Sequence, residues 1–410
     1  MNILGRTLGG ALKRARKTFP VILITGPRQS GKTTLLRTMY GRTHGFVSLE
    51  NPSVRERALG DPDGFMRANP PPVIFDEIQY VPALLSHIKT WVDERRRPGS
   101  YLLTGSQQLA LMQGVSQSLA GRVAILTLLP FSVGESLGRP EPGLKAGNAL
   151  TGGMARLGGK RVSGAPRTLG NWLLRGGFPE PRSRPAVDLS MWCAGYVQSC
   201  LERDVRSLVH VGDLETFGRF FRLCAARTAQ LLNLSDLARD TGVSVPTAKA
   251  WLSVLEATHS VFLLPPYQRD LSKRLVKIPK LYFVDTALAA FLMGIRDERN
   301  LMEGPSAGAL METAVAGGLR KDFFHRGDLP GLSFWRTRDG EEVDFIVEAG
   351  GKAWPVEVKN TGTPLPGHAV PVKKWLDRYG GQNARGFVVA NIDRSLPLLP
   401  GVSAIPWHMI

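Results

Sequence analysis

With 410 residues, 43% of them hydrophobic and 21% charged, the chain can bury a sizeable core and divides into about two to four domains, which argues against a disordered protein. Lys and Arg number 52 against 35 Asp and Glu, a formal charge of +17 that favours a polyanionic partner, either nucleic acid or an acidic membrane surface. Three cysteines (Cys193, Cys200, Cys224) with no C-x-x-C pair argue against a disulfide framework or a Cys-rich zinc module, and no apolar run nears the roughly 18 residues of a membrane span. A cytoplasmic protein with no stable membrane insertion is expected.

The first acid in the chain is Glu50. Residues 1–18 therefore have the composition of an Arg-rich transit peptide, yet they run directly into an apolar strand and read better as a basic helix. Apolar strands then alternate with helical stretches. VILIT (21–25) is followed by a helix after Gly31, FVSLE comes next, PPVIF is followed by a helix over about 81–96, and YLLTGS and VAILTLL complete the set. This alternation predicts an α/β fold with a parallel sheet covered by helices on both faces. Glycines and scattered basic residues over 137–170 read as a linker or surface insertion, and 172 to about 223 reads as helical. The expected regions are 1–136, 137–222, 223–300 and 301–410.

The sharpest motif is Gly26-Pro27-Arg28-Gln29-Ser30-Gly31-Lys32-Thr33-Thr34, a G-x-x-x-x-G-K-[ST] loop between a strand and a helix. Its backbone N–H groups and the following helix N-terminus favour phosphate, Lys32 would hold the β/γ-phosphates of ATP and Thr33 a magnesium ion. The partner is Val73-Ile74-Phe75-Asp76-Glu77, with Asp76 suited to the Mg2+ shell and Glu77 to polarising the attacking water. Thr104 or Ser106, at the end of the YLLTGS strand, is placed to sense the γ-phosphate or orient water. Arg122, before another strand, is a candidate arginine finger, drawable in cis or in trans within a homo-oligomer.

Residues 235–256 read as helix, Gly-containing turn and helix, with Ser235 and Ser244 as N-caps. The strands after them bracket Arg269, Lys273, Arg274, Lys277 and Lys280, a basic loop where the wing of a winged-helix domain would lie, suited to nucleic acid phosphates or to packing against protein. Further on, residues 343–347 and 355–359 form a predicted hairpin. Period-two alternation puts Val343, Phe345 and Val347 on one face and gathers Asp344, Glu357 and Lys359 on the other. Glu312, on a helix predicted over 308–319, supplies a third carboxylate. Such a set is suited to holding a metal and activating water for phosphodiester cleavage, with Lys359 stabilising developing charge. No histidine pairing suggests a zinc site.

Taken together, GPRQSGKTT, FDEIQYVP, LLTGSQQ, LAGRV and LPFSVGE resemble the AAA-type ATPases that carry a C-terminal domain of unknown function with a restriction-endonuclease-like core. The resemblance extends over RGGFP (175–179), LERDV (201–205), KLYFVD (280–285) and the EVD…EVK set. It implies an AAA-type P-loop core, a helical lid, a winged-helix domain and a restriction-endonuclease-like α/β C-terminal domain, with Arg122 as a family arginine and Arg175 or Arg203 as a second nucleotide sensor. Within that resemblance, D-x12-E-x-K is the PD-(D/E)xK nuclease pattern. The expected function is a Mg-dependent ATP hydrolase coupled to an arm acting on nucleic acid, DNA before RNA, with or without strand cleavage. The alternative is an ATP-dependent switch that binds nucleic acid or protein and cuts nothing.

Overall fold

The computed structural model describes residues 4–106, 118–138, 168–199, 214–267, 278–381 and 384–410. Most of the glycine-rich insertion, the LERDV motif with Arg203, Cys200, and the basic loop residues Arg269, Lys273, Arg274 and Lys277 lie outside the described residues.

The amino-terminal part is built on five parallel strands, β1 (Val21–Thr25), β2 (Gly45–Ser48), β3 (Val73–Asp76), β4 (Tyr101–Thr104) and β5 (Val123–Thr127), in the order β2-β3-β4-β1-β5. Every residue of β1 is buried, as expected of a central strand covered on both faces. Its alternation sorts Val21 and Leu23 into one apolar layer, with Leu85 and Ile88 of the helix Leu84–Glu94. Ile22 and Ile24 enter the opposite layer, with Leu8 and Leu12 of α1 (Leu8–Arg16) and Leu35 and Leu36 of α2 (Lys32–Tyr40). Fully burying each such side chain contributes roughly 1.5–3 kcal/mol.

The middle part packs the helices Leu214–Ala226, Leu234–Thr241 and Val245–Ala257 against a small antiparallel sheet of β6 (Gln230–Leu231), β7 (Val261–Leu264) and β8 (Lys280–Phe283), ordered β6-β8-β7. Ser244 caps the second helix of the pair, accepting from Thr247 N at 3.2 Å. Ser235 does not cap the first. Asn233 takes that role, accepting from Asp236 N at 3.1 Å, because its amide caps as well as a hydroxyl and lies where the chain is still extended.

The carboxyl-terminal sheet comprises β9 (Leu332–Arg336), β10 (Glu342–Ala349), β11 (Lys352–Lys359), β12 (Gly386–Ala390), β13 (Leu396–Leu399) and β14 (Val402–Pro406), in the order β13-β14-β12-β11-β10-β9. The predicted hairpin is present between β10 and β11, turning on Gly350 and Gly351 with φ +59° and +75°. Strict alternation fails within β10. Its register against β9 shifts between Val343 and Ile346, so Val343 packs with Ile346, Trp335 and Trp375, while Phe345 and Val347 face the main core. That core is continuous. Leu129, Phe178, Phe217, Tyr282, Phe345 and Trp407 belong to one buried cluster, so residues 168–199, the middle part and the carboxyl-terminal part share a single interior.

Candidate nucleotide site and carboxylate cluster

The phosphate loop connects the carboxyl end of β1 to α2. Gly26 has φ +135°, and a Cβ there would fall 2.2 Å from the Leu128 carbonyl oxygen, so only glycine fits. Gln29 and Gly31 also take positive φ, +57° and +93°. Lys32 is buried and donates from Nζ to the carbonyls of Gly26 and Pro27 at 3.1 and 2.9 Å. A cleft of about 870 Å³ opens over the loop, lined by Gln29, Gly31, Lys32, Thr33, Thr34 and, across it, Glu77. Arg6, Pro179 and Glu180 form its other walls. Ser30 is fully buried behind the loop.

Asp76 ends β3 beside the loop. Its Oδ1 accepts from Thr33 Oγ1 at 2.6 Å and from Thr104 Oγ1 at 2.7 Å. Burial pushes the Asp76 carboxyl above its usual range, and the two hydroxyls partly offset that. Thr104 Oγ1 in turn accepts from Glu77 N at 2.9 Å, so one hydroxyl fixes both acidic positions. Glu77 sits in the left-handed region, φ +57°, where a non-glycine residue is strained. Its Oε2 accepts from Ser106 Oγ at 2.9 Å and from Gln79 Nε2. The two candidate hydroxyls thus touch different groups, Thr104 the Asp76 carboxylate and Ser106 the Glu77 carboxylate.

Arg122 does not reach this cleft. It stands just before β5, at the amino end of the sheet, whereas the loop leaves the carboxyl end of β1, which pairs with β5 from Val21–Val123 to Thr25–Thr127. Strands of this length put about 15 Å between the two ends. Its guanidinium forms a two-pronged ion pair with Asp93, Nη2 to Oδ2 at 3.0 Å. A finger acting within the same chain is therefore ruled out by position. Arg175 donates from Nη2 to the Pro181 carbonyl at 2.8 Å, tying together the helices Leu169–Arg175 and Pro179–Ser183.

The carboxyl-terminal carboxylates do meet, but around an ammonium. Lys280 Nζ lies 3.0 Å from Glu312 Oε1, 2.5 Å from Glu342 Oε1 and 3.7 Å from Asp344 Oδ1, and its side chain is 5% exposed. Tyr282 donates to Glu312 Oε1 at 2.5 Å. Asp344 Oδ2 accepts from Val358 N at 2.8 Å, and Lys359 Nζ pairs with Glu357 Oε1 at 2.7 Å. Burial, then the Asp344 charge, pushes the carboxyls of Glu312 and Glu357 up to about 7 and about 8. Among the described residues no group of three or more His, Cys, Asp or Glu side chains is arranged to hold a metal ion. The acids expected as a metal set are divided between two lysines, Lys280 at Glu312 and Asp344 and Lys359 at Glu357. Lys280 was also expected in an exposed basic loop; it is instead the first residue of β8 and buried.

Several residues at these sites carried no sequence expectation. Arg6, Glu135 and His325 form a buried set behind the phosphate loop. Glu135 was visible as the fourth residue of a capping box with Ser132, which the structure contains. Asp285 joins two motifs, accepting from Gly177 N at 2.7 Å; a Cβ on Gly176 (φ +60°) would fall 2.0 Å from its Oδ1.

Comparison with known sequences matches residues 18–137 to an AAA domain, 166–299 to a domain of unknown function (DUF8612) and 307–410 to a domain of unknown function (DUF4143). The "Uncharacterized protein Rv2008c" of Mycobacterium tuberculosis is 32% identical over 367 residues, covering 89% of this chain and 76% of that protein. The "Uncharacterized protein Mb2031c" of Mycobacterium bovis aligns over the same length with the same identity and coverage. Among solved structures, the Walker-type ATPase PABY2304 of Pyrococcus abyssi aligns at 15% identity and a TM-score of 0.44, covering 71% of this chain and 96% of that one, too low a score to bear on the assignment. No helix among the described residues is long and apolar enough to cross a membrane.

Proposed function

The chain belongs to the family of the mycobacterial protein Rv2008c and is a P-loop ATPase with an AAA domain, and from that premise we propose that it is an ATP-driven switch acting on nucleic acid, DNA before RNA, without cutting it. The contrast between its two carboxylate sites carries this reading. At the nucleotide site a cleft lies open over Lys32, Thr33 and Glu77; at the other Lys280 already stands where Glu312, Glu342 and Asp344 converge.

The residues at the first site fit a magnesium ion. Thr33 and Asp76 offer a hydroxyl and a buried carboxylate 2.6 Å apart, the hard oxygen donors Mg2+ selects. Bound there with ATP, the ion would neutralise charge on the β- and γ-phosphates. The chain supplies the rest. Lys32 leaves its two loop carbonyls for phosphate oxygens, Thr104 holds Asp76 and the Glu77 backbone in register, and Glu77 accepts a proton from the attacking water once Ser106 and Gln79 release its Oε2. Arg122 stabilises developing charge on the nucleotide of a neighbouring copy, which makes the active form a homo-oligomer.

The arm is read as a winged helix, from the helices Leu234–Thr241 and Val245–Ala257 with β6, β7 and β8, followed by a nuclease-like α/β unit that serves as a binding module. Charge supports a polyanion as its partner. Beyond the formal +17, the exposed side chains of Lys13, Arg16 and Lys17 line one surface pocket at the end of α1.

The test is steady-state ATP hydrolysis with and without double-stranded DNA, single-stranded DNA and RNA, using Lys32→Ala as the blank, with end-labelled polymer followed in parallel under Mg2+ and Mn2+. Stimulation by one polymer that stays intact is expected. Hydrolysis indifferent to all three would remove nucleic acid as the partner, and cleavage that disappears in Asp344→Asn would restore the nuclease reading.

A further inference from the structure

We propose that Arg6 is a positioning residue for ATP hydrolysis and that the carboxyl-terminal helix Ala307–Arg326 controls it through Glu135 and His325. The proposal rests on the ATPase assignment and adds a route by which a distant part of the chain sets the phosphate loop.

Arg6 is buried directly behind the loop, its side chain 6% exposed. Nη1 donates to the Ser30 carbonyl at 2.8 Å and Nη2 to the Leu129 carbonyl at 2.5 Å, while the guanidinium carbon lies 4.7 Å from the centre of the Phe131 ring. The carbonyl and N–H of a trans peptide group point in opposite directions. Anchoring the Ser30 carbonyl on Arg6 therefore fixes the direction of the Gly31 N–H, one of the loop amides such a motif turns toward phosphate. A lysine could supply charge here, but not the planar fork that spans two carbonyls.

Arg6 is held in its turn. Its Nε faces Glu135 Oε2 at 3.3 Å, and the Glu135 side chain is completely buried. Glu135 Oε1 accepts from Thr7 N at 2.7 Å, and Oε2 from Ser132 N at 3.1 Å. His325 Nδ1 lies 3.3 Å from Glu135 Oε1, and His325 Nε2 accepts from Leu129 N at 3.2 Å. An imidazole that accepts at Nε2 and donates at Nδ1 is neutral, with its tautomer fixed by both partners. One turn earlier on the same helix, Lys321 Nζ donates to the Phe131 carbonyl at 3.2 Å. Residues 128–131 are thus gripped from two sides, by the Thr25 carbonyl and Arg6 of the nucleotide site and by Lys321 and His325 of the carboxyl-terminal helix. Moving that helix shifts the Leu129 carbonyl and the Glu135 carboxylate together, and with them the Arg6 fork.

The test measures kcat, KM and binding of a fluorescent ATP analogue in the full chain for Arg6→Met, Arg6→Lys, His325→Phe, His325→Gln and the double variant Arg6→Met/His325→Phe, with thermal melting of each. Losing a charge-assisted anchor of the loop should lower kcat roughly tenfold or more. KM should move far less, since the amide matters most when charge develops. Arg6→Lys should recover only part of the rate and His325→Gln more of it, and the double variant should be no slower than Arg6→Met alone. If Arg6→Met or His325→Phe fails to fold, the conservative pair decides. A folded His325→Gln and Arg6→Lys with unaltered kcat would overturn the proposal, as would multiplicative losses in the double variant. A wild-type chain that hydrolyses no ATP would instead sink the ATPase reading itself.

Discussion

Two clusters of carboxylates in this chain begin from similar chemistry and end in opposite states. At the nucleotide site Asp76 and Glu77 are held by hydroxyls and an amide, from Thr33, Thr104, Ser106 and Gln79, which orient a charge without cancelling it. At the carboxyl-terminal cluster Glu312, Glu342 and Asp344 surround Lys280, a single ammonium that offsets one of their charges and takes the place between them. The lesson is that spacing of acids along a sequence identifies neither a metal site nor an active one; the identity of the groups that compensate them decides. Neutral donors leave room for an incoming cation, whereas an ammonium is already one.

The comparison breaks most visibly at the lysines. Lys32→Ala should lower ATP hydrolysis roughly 10³-fold or more, by removing charge aimed at the phosphates. Stability should change little, and a variant that retains hydrolysis in a coupled assay would move catalysis away from this loop. Lys280→Met should do the reverse, leaving hydrolysis chemistry in place but destabilising the fold. Breaking a buried pair from one side costs about 3–5 kcal/mol, because Glu312 and Asp344 lose their ammonium while Glu342 keeps Arg336. Denaturant titration measures the loss, and adding Glu312→Gln to Lys280→Met should return part of it; a midpoint unchanged in Lys280→Met would contradict the placement of that lysine.

A smaller effect concerns pH. The Glu357 carboxyl is raised from 4.5 to about 8 by burial and by Asp344, so between those values the folded chain keeps a proton that the unfolded chain sheds. Its stabilising contribution is full below about 4.5 and is lost as pH rises through about 8. The melting temperature should therefore fall across that window, and Glu357→Gln should flatten the fall. A slope identical in the two proteins would remove Glu357 as its source. The smallest expected change is at Arg122, whose pair with Asp93 is exposed and screened. Arg122→Ala should leave the unfolding midpoint unchanged within error. Loss of hydrolysis in that folded variant, restored by mixing it with a subunit that keeps Arg122 but carries Lys32→Ala, would establish action between copies.

What the sequence disclosed follows from how far apart the interacting residues are. Gly26 to Thr34 is contiguous and lies between a strand and a helix, and Asp76 and Glu77 directly follow the apolar residues Val73, Ile74 and Phe75, so local pattern is enough. The cluster at Lys280 was half legible. Glu312 and Asp344 stand out as acids on predicted elements, but the lysine between them comes from another part of the chain and reads as part of a basic loop. Val343 shows a finer limit, since one irregular step in β10 reassigns its side chain to the other layer. Arg6 and His325 were out of reach. Leu129 and His325 are 196 residues apart, and nothing in local periodicity marks a lone histidine as a buried bridge.

The continuous interior running from Leu129 to Trp407 has a mechanical consequence. Parts that share one core rotate together, so movement relative to the amino-terminal sheet concentrates where the chain passes between them. The helix Ala307–Arg326, with 20 residues, is about 30 Å long and has its last turn at that crossing. Under the control proposed for Arg6, it is a lever with its short end at Leu129. A tilt of roughly six degrees moves the near end by less than the width of a hydrogen bond and the far end by about 3 Å, so a small rearrangement at the phosphates is geometrically magnified at the other end of the molecule.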